Sequence, residues 1–470
     1  MTDNSTICAM ATPPGKGPIS LIRLSGKEAI SICSKVFHPV HKKKKLADQK
    51  PYTIHYGILK DKNKIIDQVL VSIFKAPHSY TGEDLIEVSC HGAEYIQQQI
   101  LQLFIKNGAR LAKPGEFTLR AFLNGKMDLS QAEAVADLIA SSSEASHKVA
   151  MQQMRGGFSN EIKKLREQLI NFKSLIELEL DFSEEDLEFA DRDELKKLVI
   201  KIQQLIDRLV RSFDLGNVIK NGVPVAIVGD INVGKSTLLN TLLNEEKAIV
   251  SEIPGTTRDV IEDVISIKGF AYRFIDTAGL RDTTDKIEAL GIEKTHQKIH
   301  QASIVLLLVD VRDPVEDINQ SIKSLKKQIS GNKKHLIVVM NKIDLEKKIN
   351  LKIKQDRKCY PSLSTEDSLI KISAKKAENI SSLTNELLRA VKLTSIGEHD
   401  IIITNVRHYE ALVKSGEAIK RVLDGLENNI SGDFLSMDIR EVLHHLGEIT
   451  GEITTDEILG NIFSKFCIGK

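Results

Sequence analysis

A glycine-rich segment followed by lysine and serine is the stretch of this chain with the clearest chemical meaning. It reads Gly229-Asp-Ile-Asn-Val-Gly234-Lys235-Ser236 and follows an apolar run directly. This is the pattern G-x-x-x-x-G-K-[ST], in which glycines let backbone N–H groups curl around phosphate oxygens. Lys235 would reach the β- and γ-phosphates, and Ser236 would bind Mg²⁺ at the start of a helix. The pattern predicts a nucleoside triphosphate site and leaves the base undefined.

A second motif, Asn341-Lys342-Ile343-Asp344, follows another apolar run and defines the base. The carboxylate of Asp344 can accept hydrogen bonds from the N1–H and 2-amino groups of guanine, and adenine offers no such pair of donors. Ser373-Ala374-Lys375 comes later in the chain, and the backbone N–H of Ala374 is predicted to lie near guanine O6. Because the motifs occur in this order after the phosphate loop, we interpret the site as specific for guanine nucleotides.

Two further motifs lie between these and complete the predicted GTP site. Asp276 would hold Mg²⁺ through water, the N–H of Gly279 would meet the γ-phosphate, and a switch loop around Gly255-Thr256-Thr257 would supply a hydroxyl to Mg²⁺. The predicted GTP-binding residues are Asn232, Val233, Gly234, Lys235, Ser236, Thr237, Ser251, Glu252, Ile253, Pro254, Gly255, Thr256, Thr257, Asp276, Thr277, Ala278, Gly279, Asn341, Lys342, Asp344, Ser373, Ala374 and Lys375.

The residue after the Asp276–Gly279 motif is Leu280, where many GTPases carry a glutamine that orients the attacking water. A leucine side chain cannot hydrogen-bond to water, so hydrolysis needs another polar group and another positive charge near the γ-phosphate. The loop 281–288 offers candidates for the polar group, and Asn232 could bind a cation. The residues alone leave this choice open.

The elements that carry these motifs alternate between strand-like and helix-like segments. Candidate strands at 223–228, 272–275, 304–309, 336–340 and 369–372 are separated by helix-sized intervals. Such alternation is typical of a mainly parallel sheet with helices on both faces. The carboxyl ends of its strands form the edge where such sheets bind ligands, and the motifs lie there.

The flanking regions have different patterns. Short apolar runs at 19–24, 69–74 and 85–88 and a helix-like stretch at 96–105 predict a mixed α and β domain over residues 1–118. Apolar residues spaced by three and four then predict long amphipathic helices, and the pattern returns after residue 385. We therefore expect a helical domain in two halves, 119–215 and 386–470, interrupted by a GTPase domain at 216–385. These stripes contain Ile162, Leu165, Leu169, Phe172, Ile176, Leu195, Leu198, Ile202, Leu205, Leu209, Leu412, Ile419 and Leu423.

The composition restricts the class of protein. Among 470 residues, 65 basic and 64 acidic side chains leave a net charge of +1, so a large basic surface for nucleic acid is not evident. The five scattered cysteines contain no C-x-x-C pair, which argues against a disulfide framework or structural zinc and fits a reducing cytosol. No signal-peptide pattern and no apolar run of about 20 residues occur, so we expect a cytoplasmic protein without a membrane span.

Two adjacent histidines, His444 and His445, fall within a predicted helix. Neighbouring side chains of a helix point about 100° apart. We therefore expect no shared metal between them, and one exposed and one packed imidazole.

The whole chain resembles the MnmE (also called TrmE) family of tRNA modification GTPases. The resemblance includes ATPPGKGPISLIRLSG at 11–26, PGEFTLRAFLNGKMDLSQAEAVADLI at 114–139, GTTRD at 255–259, DTAGLRD at 276–282 and FCIGK at 466–470. It implies an N-terminal α+β domain that binds folate and dimerises the protein, and an α-helical domain interrupted by a Ras-like P-loop GTPase domain.

The family's activity is implied in the same way. With a FAD-containing partner, MnmG, in a heterotetramer or larger complex, such a homodimer adds an aminomethyl or carboxymethylaminomethyl group to C5 of the wobble uridine, U34, of tRNA. A tetrahydrofolate derivative, in the 5-formyl or methylene form, supplies the one-carbon unit. GTP hydrolysis in this family depends on K⁺ and Mg²⁺ and on dimerisation of the GTPase domains.

The resemblance also assigns roles to residues at matching positions. Ser236 and Thr257 match the Mg²⁺ ligands, and Glu288 matches the catalytic glutamate that orients the attacking water through a second water. Position 251 is serine where the family pattern has threonine, which is harmless only if the backbone carbonyl is the ligand. The positions that match the K⁺ site are Asn232, Ser251, Ile253 and Thr256.

Folate contacts are implied at Arg23, Glu87, Lys126 and Lys470. A carboxylate can pair with the donor edge of a pterin, and cations can pair with the folate glutamate tail. Cys467 lies with Lys470 in the C-terminal FCIGK motif. It is either a catalytic thiolate activated by a nearby cation or a small buried residue that closes the helical domain.

Two other functions compete with the enzyme. A GTP-switched ribosome-assembly factor would usually carry an RNA-binding module with a G-x-x-G clamp or strong basic charge. The sequence after residue 385 has no such clamp. A pure signalling switch leaves the first 118 residues without a purpose, so we favour the tRNA-modifying enzyme.

Overall fold

The computed structural model describes residues 5–41, 45–181, 191–245, 263–275, 299–329, 334–345, 357–391, 401–428 and 430–470. The chain forms two compact units. The first comprises residues 1–136, 153–202 and 414–470, and the second comprises 137–152 and 203–413.

The first unit begins with a seven-stranded sheet in the order β3-β4-β5-β6-β2-β1-β7. Neighbouring strands are antiparallel except β1 and β7, which are parallel. The strands are β1 (Ile7–Met10), β2 (Ile19–Ser25), β3 (Phe37–Pro39), β4 (Thr53–Asp61), β5 (Lys64–Phe74), β6 (Leu85–His91) and β7 (Arg110–Leu111). The helices are α1 (Ala29–Val36), α2 (Glu94–Lys106) and α3 (Glu116–Leu123).

Helices α1 and α2 cover one face of this sheet, and the other face carries Arg23 and Glu87. Alternate residues of a strand point to opposite faces. Val71 of β5 and Val88 of β6 therefore enter one buried core, together with Ile32 of α1 and Phe104 of α2. The predicted strands and the helix at 96–105 are confirmed.

Long helices follow, and they bury the apolar stripes found in the sequence. They are α4 (Leu129–Ala140), α5 (Glu144–Met154), α6 (Gly157–Asp181) and α7 (Arg192–Asn221). Ile162, Leu169 and Ile176 of α6 are each 0% exposed, because steps of seven residues return to the same helix face.

The second unit contains a six-stranded sheet in the order β13-β12-β11-β8-β10-β9. All neighbours are parallel except β9, which runs antiparallel to β10 at the edge. Its strands are β8 (Val223–Val228), β9 (Asp263–Ile267), β10 (Phe270–Phe274), β11 (Ile304–Asp310), β12 (His335–Asn341) and β13 (Ser368–Lys371). Its helices are α8 (Lys235–Glu245), α9 (Val315–Ile329) and α10 (Ile380–Ala390).

Both faces of this sheet are covered. Leu306 and Leu308 of β11 pack in one core with α8 and α10, whereas Val305 and Leu307 pack in the opposite core with α9. The predicted parallel sheet is confirmed, and β9 is an edge strand that the sequence pattern did not indicate.

The chain ends in α11 (Val406–Glu427), α12 (Gly432–Thr450) and α13 (Asp456–Phe463). Within the first unit, α12 packs along α6, and Arg166 of α6 donates to the backbone oxygen of Leu443 at 2.8 Å. The predicted combination of an N-terminal α+β region, helices and an intervening α/β sheet is confirmed. In the described part of the chain, no helix combines the length and apolar character that crossing a membrane requires.

Candidate functional site

The phosphate loop connects the end of β8 to the first residue of α8. The ammonium group of Lys235 donates to the backbone oxygens of Gly229 at 2.6 Å and Asp230 at 3.3 Å, so it lies across the loop. Ser236 and Thr237 are exposed in the first turn of α8. Unpaired N–H groups at a helix start favour an anion, so this arrangement suits a phosphate chain with a Mg²⁺ ion at Ser236.

Asn341, at the end of β12, joins the phosphate loop to the base-binding side of the site. Its Nδ2 donates to the backbone oxygen of Val233 at 2.8 Å, and its Oδ1 accepts from the N–H of Ala374 at 2.9 Å. The residue is only 2% exposed. Gly234 has φ +100°, and a Cβ there would collide with the Asn341 amide, so glycine is required where the loop meets β12.

The Ala374 N–H is therefore already donated to Asn341 in this structure. Its predicted contact with guanine O6 requires that hydrogen bond to be exchanged or shared, and it stays a prediction. The carbonyl of Ala374 accepts from the Thr241 hydroxyl of α8 at 2.7 Å, which holds this backbone segment against the helix that follows the phosphate loop.

Asp344 is positioned by the neighbouring motif. The hydroxyl of Ser373 donates to its Oδ1 at 2.7 Å, and Ser373 itself is fully buried. This hydrogen bond is the main reason why the pKa of Asp344 lies below its usual value. The residue is therefore ionised at neutral pH, as an acceptor for two guanine donors must be.

Asp310, the last residue of β11, was not predicted from the sequence. Its carboxylate accepts from Arg312 at 2.7 and 3.0 Å and lies 2.9 Å from the ammonium of Lys342. The Arg312 hydrogen bonds, followed by those from the Arg312 backbone and Lys342, hold the pKa of Asp310 well below its usual range. The sequence did contain a sign of this residue's role, because an acidic side chain ends the strand next to β12. The ends of both strands meet at one edge of the sheet.

Of the remaining residues predicted to bind nucleotide or K⁺, the structure describes some and not others. Asn232 is exposed in the phosphate loop with φ 64°, a left-handed conformation that asparagine tolerates. Lys375 is exposed next to Ala374. The following predicted residues, together with Leu280, lie outside the described residues: Ser251, Glu252, Ile253, Pro254, Gly255, Thr256, Thr257, Asp276, Thr277, Ala278, Gly279 and Glu288.

The predicted folate residues lie in the first unit, where Arg23 and Glu87 face each other on β2 and β6. The Arg23 guanidinium donates to Glu87 Oε1 at 2.6 and 2.9 Å and to the backbone oxygen of Gly469 at 3.3 Å. The rings of Tyr80 and Phe117 lie 5.5 and 5.6 Å from its central carbon. These two aromatic residues were not predicted, since neither is near Arg23 in the sequence.

Lys470 joins this cluster. Burial is the main reason why the pKa of its ammonium is lowered, and the positive charge of Arg23 lowers it further. Gly469 has φ +99°, and a Cβ there would collide with the backbone oxygen of Met10. Lys126 donates instead to the backbone oxygen of Pro77 at 3.0 Å and, in the described part of the chain, makes no hydrogen bond to the other three predicted folate residues.

The five cysteines differ in burial, and Cys359 is intermediate. Cys8, Cys33 and Cys90 are buried, and burial raises their thiol pKa values to about 11, 12 and 11. Cys467 is exposed, so the interpretation of this residue as a small buried closing residue is wrong. Its catalytic role stays a prediction.

Known protein families and full-length relatives match this chain. A family model described as the GTP-binding protein TrmE N-terminus matches residues 6–126, and one described as the MnmE helical domain matches residues 129–467. The tRNA modification GTPase MnmE of Bacteroides thetaiotaomicron is 58% identical to this chain, and the alignment covers 100% of both chains. The protein of the same name from Cytophaga hutchinsonii is 54% identical over 99% of this chain and 98% of its own.

A third relative, also named tRNA modification GTPase MnmE, comes from Flavobacterium johnsoniae and is 53% identical over 100% of both chains. These alignments span the sheet of the first unit, the long helices and the nucleotide site. The chain therefore belongs to the MnmE family of tRNA modification GTPases.

Proposed function

We propose that this protein is a potassium-activated GTPase that takes part in modifying C5 of the wobble uridine, U34, of tRNA. It acts as a homodimer in the cytoplasm, with the flavoprotein MnmG as partner and a tetrahydrofolate derivative as one-carbon donor. The product group is aminomethyl or carboxymethylaminomethyl. Family membership supports the general activity. The residues around Asn341 support a guanine nucleotide as one ligand, and the residues around Arg23 support a folate as the other.

The observation that carries the GTPase part is the double hydrogen bond of Asn341. It ties Val233 of the phosphate loop to Ala374 of the motif beside the base, so both ends of one nucleotide share a rigid frame. Asp344, held ionised by Ser373, supplies the acceptors that select guanine over adenine. When bound, Mg²⁺ would be held by Ser236 and would neutralise phosphate charge.

The folate part rests on Arg23, Glu87 and Lys470. A carboxylate between two cations offers acceptors toward a pterin ring and positive charge toward a carboxylate tail, the two ends of a folate. Tyr80 and Phe117 add aromatic faces at the same place. Cys467 belongs to the same terminal segment, and we propose that its thiol takes part in the transfer chemistry.

The potassium part rests on Asn232, whose amide oxygen is a suitable ligand for a hard cation. A bound K⁺ would supply the positive charge that other GTPases obtain from an arginine. Ser251, Ile253 and Thr256 would complete this site, Thr257 would complete the Mg²⁺ site, and Glu288 would orient the attacking water.

The decisive experiment is nucleoside mass spectrometry of tRNA from cells that lack this protein and are supplied with variants of it. Wild type and the exposed-surface control Asp317→Asn should restore 5-aminomethyl-type wobble uridines. Asp344→Ala should fail because GTP binding is lost, and Arg23→Ala should fail while GTP hydrolysis in vitro stays normal. An unchanged nucleoside profile in cells without the protein would contradict the proposal and favour a GTP-switched assembly factor.

The potassium dependence has its own test. GTP hydrolysis by the wild type should be much faster in KCl than in NaCl of equal ionic strength. Asn232→Ala should remove this difference, whereas Asn240→Ala on the exposed face of α8 should preserve it. Equal wild-type rates in the two salts would exclude potassium activation and leave the guanine assignment intact.

A further inference from the structure

The last two turns of α12 carry a cluster of two imidazoles and a carboxylate that the GTP and folate sites do not use. Nδ1 of His445 lies 3.0 Å from Oε2 of Glu448, and Nε2 of His444 lies 3.6 Å from Oε1 of the same carboxylate. One ligand atom from each of the three residues lies within 4.8 Å of the others. Three groups that commonly bind metal ions therefore converge on one point of the helix surface.

The expectation of no shared metal rested on the helical angle between the two histidines, and the structure shows that this angle does not keep their ring nitrogens apart. Their Cα–Cβ directions differ by about 100°, but Glu448 lies three residues after His445 and four after His444, so it neighbours both. The two imidazoles turn toward it, and their ring centroids are 5.3 Å apart. The expected difference in burial is confirmed, with side-chain exposures of 51% for His444 and 15% for His445.

The separations match those around a small metal ion. Two ligands bound to Zn²⁺ at about 2.0–2.1 Å with tetrahedral angles lie about 3.3–3.4 Å apart. The observed 3.0 and 3.6 Å lie on either side of that value. Both histidine–carboxylate separations therefore lie within a few tenths of an ångström of the metal-bound value, and one ligand nitrogen of each imidazole lies within 4.8 Å of the other.

The surroundings of His445 also favour a ligand role. Its second nitrogen, Nε2, lies 3.9 Å from Oε1 of Glu441, one helical turn back. Glu441 is in turn paired with Arg421 of α11, which also binds Asp438 at 2.9 Å. Metal-binding histidines usually donate their other ring N–H to a carboxylate, and Glu441 lies near Nε2 although beyond hydrogen-bond distance.

We propose that His444, His445 and Glu448 form a binding site for a divalent transition-metal ion of the Zn²⁺ class. Imidazole and carboxylate together suit zinc better than the oxygen-only sites preferred by Mg²⁺ or Ca²⁺. Three protein ligands leave one position for water or for a group from a partner. The exposed ring of His444 gives the ion access from solvent, and binding would fix the last turn of α12 ahead of Gly451.

Isothermal titration calorimetry on the full-length, chelator-treated protein tests this proposal, with ZnCl₂ as the probe and no nucleotide present. Cys467→Ser serves as the common background, so that its exposed thiol does not bind zinc. We expect about one equivalent to bind with Kd below about 10 µM, equivalent to about −7 kcal/mol. Glu448→Gln and His445→Asn should each lose this equivalent, and His147→Asn, an exposed helical histidine on α5, should keep it.

Thermal unfolding separates metal binding from a folding defect. Without metal, Glu448→Gln and the parent should melt at similar temperatures, and added Zn²⁺ should raise only the melting temperature of the parent. Undiminished binding in both Glu448→Gln and His445→Asn would overturn the site. Binding only in the millimolar range would equally overturn it, since the trio would then attract an adventitious ion only.

Discussion

At the scale of single residues, Asp310 pairs with Lys342 of the predicted base-recognition motif. Its carboxylate is fixed by Arg312 and holds the Lys342 ammonium at 2.9 Å. Lys342 belongs to the base-recognition motif, so its position before binding determines how much side-chain freedom is lost on binding. Asp310 is therefore a positioning residue for the base side of the site.

Asp310→Asn should raise the Kd for GTP about tenfold, or about 1.4 kcal/mol, because Lys342 loses its fixed counter-ion. The hydrolysis rate at saturating GTP should change little, since the phosphate loop is untouched. Fluorescent-nucleotide titration and single-turnover hydrolysis measure the two quantities. Asp317→Asn on the exposed side of α9 is the matched control, and an unchanged Kd for Asp310→Asn would show that Lys342 is positioned without it.

Gly469 plays a comparable part in the candidate folate site. A Cβ there would collide with the Met10 backbone oxygen, and the φ of +99° disfavours any other residue. Gly469→Ala should displace the segment that brings Lys470 and the Gly469 carbonyl to Arg23, and should weaken 5-formyltetrahydrofolate binding at least tenfold. Calorimetry measures the affinity, with GTP binding as an internal check.

Gly460→Ala is the control for this prediction, because a Cβ at that position on α13 meets nothing within 4 Å. Equal folate affinity in both variants would mean that the terminal segment does not form part of the pocket.

At the scale of elements, one carboxylate joins β7 to α3 in the first unit. Glu116 accepts from Arg110 at 2.6 and 2.8 Å, from Arg120 at 3.0 Å and from the backbone N–H of Lys113 at 2.9 Å. Burial by itself would raise the pKa of Glu116, but these hydrogen bonds outweigh it and lower the pKa to about 2. The pairing also fixes the start of α3, which places Phe117 beside Arg23.

The sign of the pH dependence follows from that depressed pKa. The ionised form is favoured in the folded state, so its contribution is complete above the usual value of 4.5 and is lost as pH falls toward 2. Glu116→Gln should lower the free energy of unfolding of the first unit by about 3 kcal/mol at pH 7, and the deficit should shrink below pH 4.5.

Urea unfolding of the wild type and of Glu116→Gln across this pH range measures the difference. Glu94→Gln, an exposed position in the first turn of α2, should change the free energy by less than about 0.5 kcal/mol. A deficit for Glu116→Gln that is independent of pH would mean that packing, not charge, is lost.

At the scale of the whole molecule, the two candidate ligand sites belong to different compact units. The described GTP residues lie within 203–413, and Arg23, Glu87 and Lys470 lie within the unit formed by 1–136, 153–202 and 414–470. A ligand stabilises the unit that binds it, by about 2.7 kcal/mol at a hundredfold excess over Kd.

Differential scanning calorimetry should therefore show two transitions. A non-hydrolysable GTP analogue with Mg²⁺ should raise one of them, and 5-formyltetrahydrofolate should raise the other. A single transition that responds to both ligands would show that the units unfold as one. A folate effect on the same transition as GTP would place the folate site outside the first unit.

The sequence by itself determined the features that are encoded locally. Five of the six strands of the second unit were predictable as short strand-like segments separated by helix-sized intervals, and the long helices were predictable from stripes such as Ile162, Leu169 and Ile176. The phosphate loop and the Asn341–Asp344 motif were predictable because their chemistry lies within a few consecutive residues. Edge strand β9 was missed, since a strand buried on fewer sides carries a weaker apolar signal.

Only the tertiary structure decided which distant residues meet. The pairing of Arg23 with Glu87 depends on the register of β2 and β6, and the contact of Asp310 with Lys342 depends on the alignment of β11 with β12. His444, His445 and Glu448 are close in sequence, yet their convergence depends on side-chain directions that a helical angle alone does not give. Such contacts are set by strand register and side-chain packing, and no local sequence pattern records these.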